Sequence, residues 1–477
     1  MDLRKLIVRP LGPRRLIRNL TSIGSNGAAV LPLDPSLAAR TGRPTLRVAH
    51  FSDTWLPRRD GIVTALQTLT NAMSEEGHTS LLVVPRYPDE GENGLGRGVE
   101  MLRIRSVPCG IAQYRMAAWP RAKHVERIAH WLPHVIHVHT PGTVGLLGIL
   151  AARRLGLPLV QTYHTDLRAY ADAYRLPSRV LAGITRCAAR RLSSPKPEIP
   201  RPVSRAERRA AVVDAATRVL LVDSDAVLVP TPAILQRCHL PVEDERIYLA
   251  PAGVSLPPTP PGAGELFRRQ HGIGPDEAVV LFVGRVNREK GIDLLTEAFG
   301  RLARVVPHAR LVLVGAVYEP RWVHRLLERA GIERRTVLTG QLPPEQVAHA
   351  YAASDVFAFP SLTDTQGLVV QEAALAGLPT VLADEALYSS GPLAGTGVFG
   401  STDAMRFAEA LEDLLTLPDY RKRVGEEGRR RAEQNTPAAY AQRMAAIYGQ
   451  AVRRAASATR VTRPGRRGPF RSRRLIA

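Results

Sequence analysis

Cysteine is scarce. Three occur in 477 residues, Cys109, Cys187 and Cys238, and none has a C-x-x-C or zinc-type spacing, so neither a disulfide framework nor a structural metal site is expected. This usage points to a reducing compartment. No uninterrupted apolar run approaches the roughly 18 residues that cross a bilayer; the longest, "TVGLLGILAA" (143–152), suits a buried helix. The basic N-terminal stretch contains no signal-type apolar core with a small-residue cleavage site. A cytoplasmic protein is the expectation.

Acidic residues are absent from 452–477, which carries +9. Residues 1–44 and 186–209 carry +6 each, so these three segments hold the whole net charge of +21. The remainder is close to neutral. The excess therefore sits in two terminal arms and the Pro-rich insertion "RRLSSPKPEIPRPVSRAERR", segments that read as flexible. An anionic membrane surface is one partner such arms suit; solubilising arms are the plainer alternative. Specific nucleic-acid binding is not expected, because no aromatic-interleaved or zinc-finger-type reader accompanies the charge.

What is present is an alternation of apolar strands and amphipathic helices. "TLRVAHFSD" (45–53), "TSLLVVP", "HVIHVHTPG" (134–142) and "PLVQTYHTD" read as strands with their following loops, separated by "VTALQTLTNAMSEEG" and "TVGLLGILAARRLG" as helices. "RVLLVDS", "AVLVP" and "RIYLAPAGV" read as further strand material. The segment "SLPPTPPGAG" (255–264) is a linker, because its prolines and glycines continue neither regular element. After it the alternation restarts with "AVVLFVGR". The expected organisation is α/β, two doubly wound halves facing across a cleft. The boundaries are a basic arm 1–44, a first domain 45–255, a second domain 256–430, a returning helix 431–451 and a basic disordered tail 452–477.

Two loops of the second half carry candidate chemistry. In "SLTDTQGLVVQEAALAGLPTV" (361–381), Asp364 and Glu372 flank Gly367, which opens an apolar helix after the strand "DVFAFP". The amides of Gly367, Leu368 and Val369 would be unpaired donors suited to an anion. Glu372 would lie roughly 7 Å along the helix. Acids near a helix start also favour its dipole, which leaves a purely structural reading open. In "FVGRVNREKGIDLL" (282–295), Arg285 and Lys290 follow a strand and precede a helix, an arrangement able to clamp a diphosphate, with a solvated basic loop as the alternative. His137 and His139 alternate on one strand face, and His164 follows another strand. With no third ligand at diagnostic spacing, no metal is assigned; His137 reads as structural and His139 as lying near the cleft.

The ordered set "DGIV", "GH", "HVHTPG", "TYHTD", "APAGV", "FVGRVNREKG", "SLTDTQGLVVQEA" and "AGLPTV" resembles the family-four retaining glycosyltransferases over roughly residues 46 to 450. The resemblance implies the GT-B fold and transfer of a hexose, glucose or mannose, from a nucleotide diphosphate sugar to a lipid or saccharide acceptor. It implies no cofactor. It implies that Arg285, Lys290, Gly61, Gly367 and Leu368 bind the donor diphosphate, Asp364 lies near the donor sugar, Glu372 holds the ribose hydroxyls and His164 stands near the reacting centre. Four departures stand out: Asp364 replaces the first of two glutamates, Ala252 replaces an asparagine, "GPLAGTGVFG" replaces a proline-glutamate segment, and "LVLVGAVYEP" lacks a second glycine. A binding protein of weakened activity, or a nucleotide-sugar epimerase on the same fold, are the alternatives.

Overall fold

The structure, a computed structural model, describes residues 45–461 apart from 89–93, 110–114, 165, 169–170, 172–176, 193, 198, 200–203 and 239. The arm 1–44 and most of the tail lie outside the described residues.

Parallel strands that are buried on both faces read as continuous apolar runs, and the chain supplies two sets of them. The first sheet comprises β1 (Arg47–Phe51), β2 (Thr79–Pro85), β3 (Val99–Ile104), β6 (Val135–Val138), β7 (Leu159–Thr162), β8 (Ala226–Val229) and β9 (Ile247–Leu249), with β4 (Ser106–Pro108) and β5 (Arg115–Ala117) forming a separate antiparallel hairpin. Its order is β3-β2-β1-β6-β7-β8-β9. The second sheet comprises β10 (Ala278–Val283), β11 (Ala309–Val314), β12 (Thr336–Gly340), β13 (Val356–Phe359), β14 (Thr380–Leu382) and β15 (Val398–Phe399), in the order β12-β11-β10-β13-β14-β15. Every pairing in both is parallel. Winding reverses between β1 and β6 in one and between β10 and β13 in the other. Open α/β sheets bind ligands beyond the carboxyl ends of the strands at such reversals.

The two domains meet along a clasp of backbone and amide groups. Gln366 Oε1 accepts from Ala252 N at 2.8 Å while Gln366 Nε2 donates to Ala252 O at 2.8 Å. Asn435 Nδ2 donates to the same carbonyl at 2.7 Å and to Gln371 Oε1 at 2.8 Å. Position 252 therefore serves the interface through its main chain, which alanine supplies as well as asparagine. From here the helix Pro437–Val461 returns to the first domain, burying Tyr440, Met444, Ile447 and Tyr448 against Val48, Leu69, Met73 and Val160. At about 1.5–3 kcal/mol per large apolar side chain, this is a firm attachment.

The structure corrects the sequence reading in three places. "RVLLVDS" is not strand: it ends the helix Arg205–Leu221, which starts at a capping box of Ser204 and Glu207. The tail expected from 452 begins inside the last helix, which continues to Val461. Residues 99–108 and 115–117, unassigned from sequence, form β3, β4 and β5, and "GPLAGTGVFG" contributes β15, the sixth strand of the second sheet.

Candidate active site

Both candidate loops lie at the winding reversal of the second sheet. The loop after β10 carries Arg285, then a single 3-10 turn, Arg288–Lys290, then the helix Ile292–Val305. Gly291 adopts φ +70°, and a Cβ there would lie 2.4 Å from the Pro360 carbonyl oxygen. Only glycine permits that approach, and it brings Lys290 against the loop after β13. Lys290 Nζ consequently donates to Asp364 Oδ1 and Oδ2, both at 2.8 Å. Burial alone would raise the Asp364 carboxyl, but the Lys290 ammonium, hydrogen-bonded to it, and the charge of Arg285 outweigh it and hold it below the usual carboxylate range. Arg285 in turn pairs with Glu289 at 3.0 Å. The cationic pair is thus not a bare clamp: each member already has a carboxylate that an anionic ligand must share or displace.

Gly367, at φ +69°, opens the helix Leu368–Leu375 with no side-chain cap among the described residues. An L side chain in that conformation costs roughly 1–2 kcal/mol. Gly61 lies directly opposite, at the start of the helix Gly61–Glu75: its Cβ position is 3.7 Å from Leu368 Cδ1. His164 joins the same seam, its carbonyl accepting from Thr365 Oγ1 at 2.8 Å. Glu372 has a different neighbour. Its Oε2 accepts from Tyr351 Oη at 2.9 Å, and burial raises its carboxyl despite that bond.

The helix starts around the cleft are not equivalent. Asp60 Oδ1 accepts from Ile62 N and Val63 N, both at 3.1 Å, capping the helix that Gly61 begins. Asp53 Oδ1 accepts from Val144 N at 2.8 Å and Oδ2 from Gly145 N at 3.2 Å, capping the helix Thr143–Leu155. Each first-domain start beside the winding reversal therefore holds its own anion, while the start at Gly367 has none among the described residues. Neither aspartate was singled out from sequence, although "DGIV" contains Asp60.

The chain matches the family Glycosyltransferase Family 4 over residues 59–256 and Glycosyl transferases group 1 over 264–431. It belongs to the family-four, group 1 glycosyltransferases. Among curated proteins, this glycosyltransferase is 26% identical over 395 residues to the alpha-monoglucosyldiacylglycerol synthase of Streptococcus pneumoniae, covering 78% of this chain and 79% of that one. It is 28% identical over 351 residues to the GDP-mannose-dependent alpha-mannosyltransferase of Mycobacterium tuberculosis, covering 71% and 79%. Among solved structures, the sucrose-phosphate synthase of Thermosynechococcus elongatus superposes with a TM-score of 0.62 at 22% identity, covering 87% of this chain and all of that one. The fold is GT-B.

Behind His164, this glycosyltransferase contains a histidine cluster larger than its sequence suggests. The β1–β6 register sets His50 beside His137, and the rings of His137 and His139 are 3.9 Å apart. His164 Nε2 is 3.1 Å from His139 Nδ1, and His139 Nε2 is 3.1 Å from His50 Nδ1. His137 Nδ1 lies 2.7 Å from Tyr448 Oη and its Nε2 2.8 Å from Thr162 Oγ1. Burial depresses all four: His50 to about 3, His164 to about 4, and His137 and His139 well below 6.5. His50, the third member missing from the sequence reading, brings the nitrogens of three rings within 4.8 Å. All of those nitrogens except His50 Nε2 already have hydrogen-bond partners.

Proposed function

We propose that this chain is a retaining hexosyltransferase that passes glucose or mannose from a nucleotide diphosphate sugar to a lipid or saccharide acceptor. One observation carries the reading: the uncapped helix start at Gly367 faces Gly61 across the cleft, whereas the first-domain starts are closed by Asp60 and Asp53. An anion is favoured at the second-domain wall. There the donor diphosphate would meet the amides of Gly367 and Leu368 together with Lys290 and Arg285, the two cations exchanging Asp364 and Glu289 for phosphate oxygens. Rupture of the sugar–diphosphate bond builds positive charge on the sugar and negative charge on the leaving group, and these donors stabilise the negative end. Asp364, released from Lys290, would orient the sugar, Glu372 would accept from the ribose hydroxyls, and His164 would reach the sugar from the first domain. The reading assigns charge neutralisation to side-chain cations and includes no metal cofactor.

A lipid acceptor is supported by a surface of the first domain. A groove of about 860 Å³ beside the β4–β5 hairpin is lined by Arg86, Arg105 and Arg115 together with Val107, Met116 and Trp119. The last three stand exposed. The helix Ser178–Arg191 adjoins it, Arg191 Nη2 donating to Pro120 O at 2.9 Å, and presents exposed Val180 and Ile184 among arginines. Apolar side chains framed by arginine suit an anionic lipid interface. No helix among the described residues is long and apolar enough to cross a membrane. A screen of nucleotide sugars against lipid and saccharide acceptors, read by mass spectrometry, tests the reading, with the product anomer assigned by NMR. Lys290→Ala and Glu372→Ala should abolish transfer in folded protein; full activity in either refutes the assignment.

A further inference from the structure

Each of the two N···N contacts in the series His164, His139, His50 needs one hydrogen, and a neutral imidazole carries only one. The rings therefore cannot choose tautomers independently. In one arrangement His164 donates from Nε2 to His139, His139 donates to His50, and His50 is left with an N–H on Nε2. In the other, His50 donates from Nδ1 to His139 Nε2, His139 donates from Nδ1 to His164 Nε2, and His164 carries its hydrogen on Nδ1. His50 is fully buried, and its Nε2 has no hydrogen-bond partner among the described residues. A buried N–H without an acceptor is the rarer and costlier condition, so the second arrangement is favoured. His137 stands outside this series, held between two hydroxyls that can each donate or accept.

We propose that His50 and His139 are positioning residues that act through His164: the three rings form one tautomeric chain that keeps the hydrogen on His164 Nδ1, so that the cleft presents a hydrogen-bond donor to an oxygen of the bound sugar. The identity of the ligand rests on the glycosyl-transfer reading; the tautomeric chain itself does not. Burial keeps all three rings neutral over the physiological range, which the arrangement requires, and Asp60 is the carboxylate whose charge acts on His164. A cation shared by His50, His137 and His139 would compete with this chain, because it would take nitrogens now used between rings.

The test uses full-length protein with ¹⁵N-labelled histidine, the His164 signals being assigned by their loss in His164→Gln. Long-range ¹⁵N–¹H correlation should show His164 protonated on Nδ1. In His50→Leu the same ring should move toward the Nε2–H tautomer, with kcat falling about tenfold, the worth of one hydrogen bond, and the donor KM within about twofold. His50→Asn, whose amide nitrogen occupies the place of Nδ1, should return both toward native values. An Nε2–H tautomer in the native chain overturns the proposal, as does a His164 signal unmoved in folded His50→Leu; should that variant not fold, the native measurement alone decides. One equivalent of transition metal retained by the native chain and lost in His50→Asn also overturns it. A tautomer shift in a chain that transfers no sugar supports the tautomeric chain and refutes the transfer reading.

Discussion

Lys290 Nζ contacts both carboxylate oxygens of Asp364 at 2.8 Å, joining loops that are 74 residues apart in the chain. On the proposed donor site, the contact makes Asp364 a competitor for the charge that a diphosphate would need. Asp364→Asn should therefore tighten binding of a nucleoside diphosphate, by about threefold to tenfold for one relieved charge contact, while lowering sugar transfer. Isothermal calorimetry and turnover measured on the same preparation separate the two effects. Weaker nucleotide binding in Asp364→Asn would mean that the carboxylate supports the phosphate site instead of opposing it.

Gly61 offers a cleaner steric test. Its backbone is not left-handed, and an added Cβ would make only an ordinary 3.7 Å contact with Leu368. Gly61→Ala should thus melt no lower than the native chain, since alanine is the better helix residue by up to about 1 kcal/mol. If a diphosphate lies between Gly61 and Gly367, the methyl group intrudes on it. Nucleotide affinity should drop about tenfold, a misfit of roughly 1–3 kcal/mol being typical of overpacking; unchanged affinity places the phosphates elsewhere.

Glu372 and Tyr351 can be separated by the ligand's own hydroxyls. A carboxylate accepting from ribose rejects a deoxyribose analogue, because a buried polar group is then left unpaired. Native protein should prefer the ribonucleotide over its 2′,3′-dideoxy counterpart by about tenfold or more. Glu372→Ala should erase that preference, and Tyr351→Phe should retain it. Equal discrimination in Glu372→Ala and the native chain removes the ribose role.

The architecture was legible because buried parallel strands and intervening helices leave unmistakable apolar periods, and because "SLPPTPPGAG" interrupts both. What escaped has a common physical origin. "RVLLVDS" has the composition of a strand, yet the capping box of Ser204 and Glu207 begins a helix that extends to Leu221. Local apolarity cannot distinguish the two. His50 was not singled out in the strand "TLRVAHFSD"; its role depends on the β1–β6 register, which is a property of the paired strands and not of either segment. The carboxylate partners of Arg285 and Lys290 were visible as residues, but Asp364 reaches Lys290 only because Gly291 lets one loop pass against Pro360.

The histidines also set a pH dependence with a definite sign. His50 is depressed to about 3 and His164 to about 4 by burial. Below about pH 6.5 the unfolded chain takes up protons at these positions while the folded chain does not, so acid favours unfolding. Stability should be full above about 6.5 and decline as pH falls toward 4 and then 3. Asp53 and Glu372, raised by burial, act with the opposite sign. The urea midpoint should therefore fall between pH 7 and 5, and fall less in His50→Asn. Identical slopes for the two proteins would show that His50 does not stay neutral in the fold.

The arginine-framed surface beside the hairpin makes the last prediction. Val180 and Ile184 are one helical turn apart and both exposed, on a helix that also carries Arg179, Arg186 and Arg190. Burying two such side chains in a lipid interface yields about 1.5–3 kcal/mol each, and each nearby arginine adds about 1 kcal/mol on an anionic leaflet. Val180→Asp with Ile184→Asp should abolish sedimentation with anionic phospholipid vesicles in chains lacking 1–44 and 462–477, where the basic arms cannot compensate. Turnover on a water-soluble acceptor should be preserved, because both side chains stand exposed. Retained vesicle binding in that truncated double variant would assign membrane attachment to another surface.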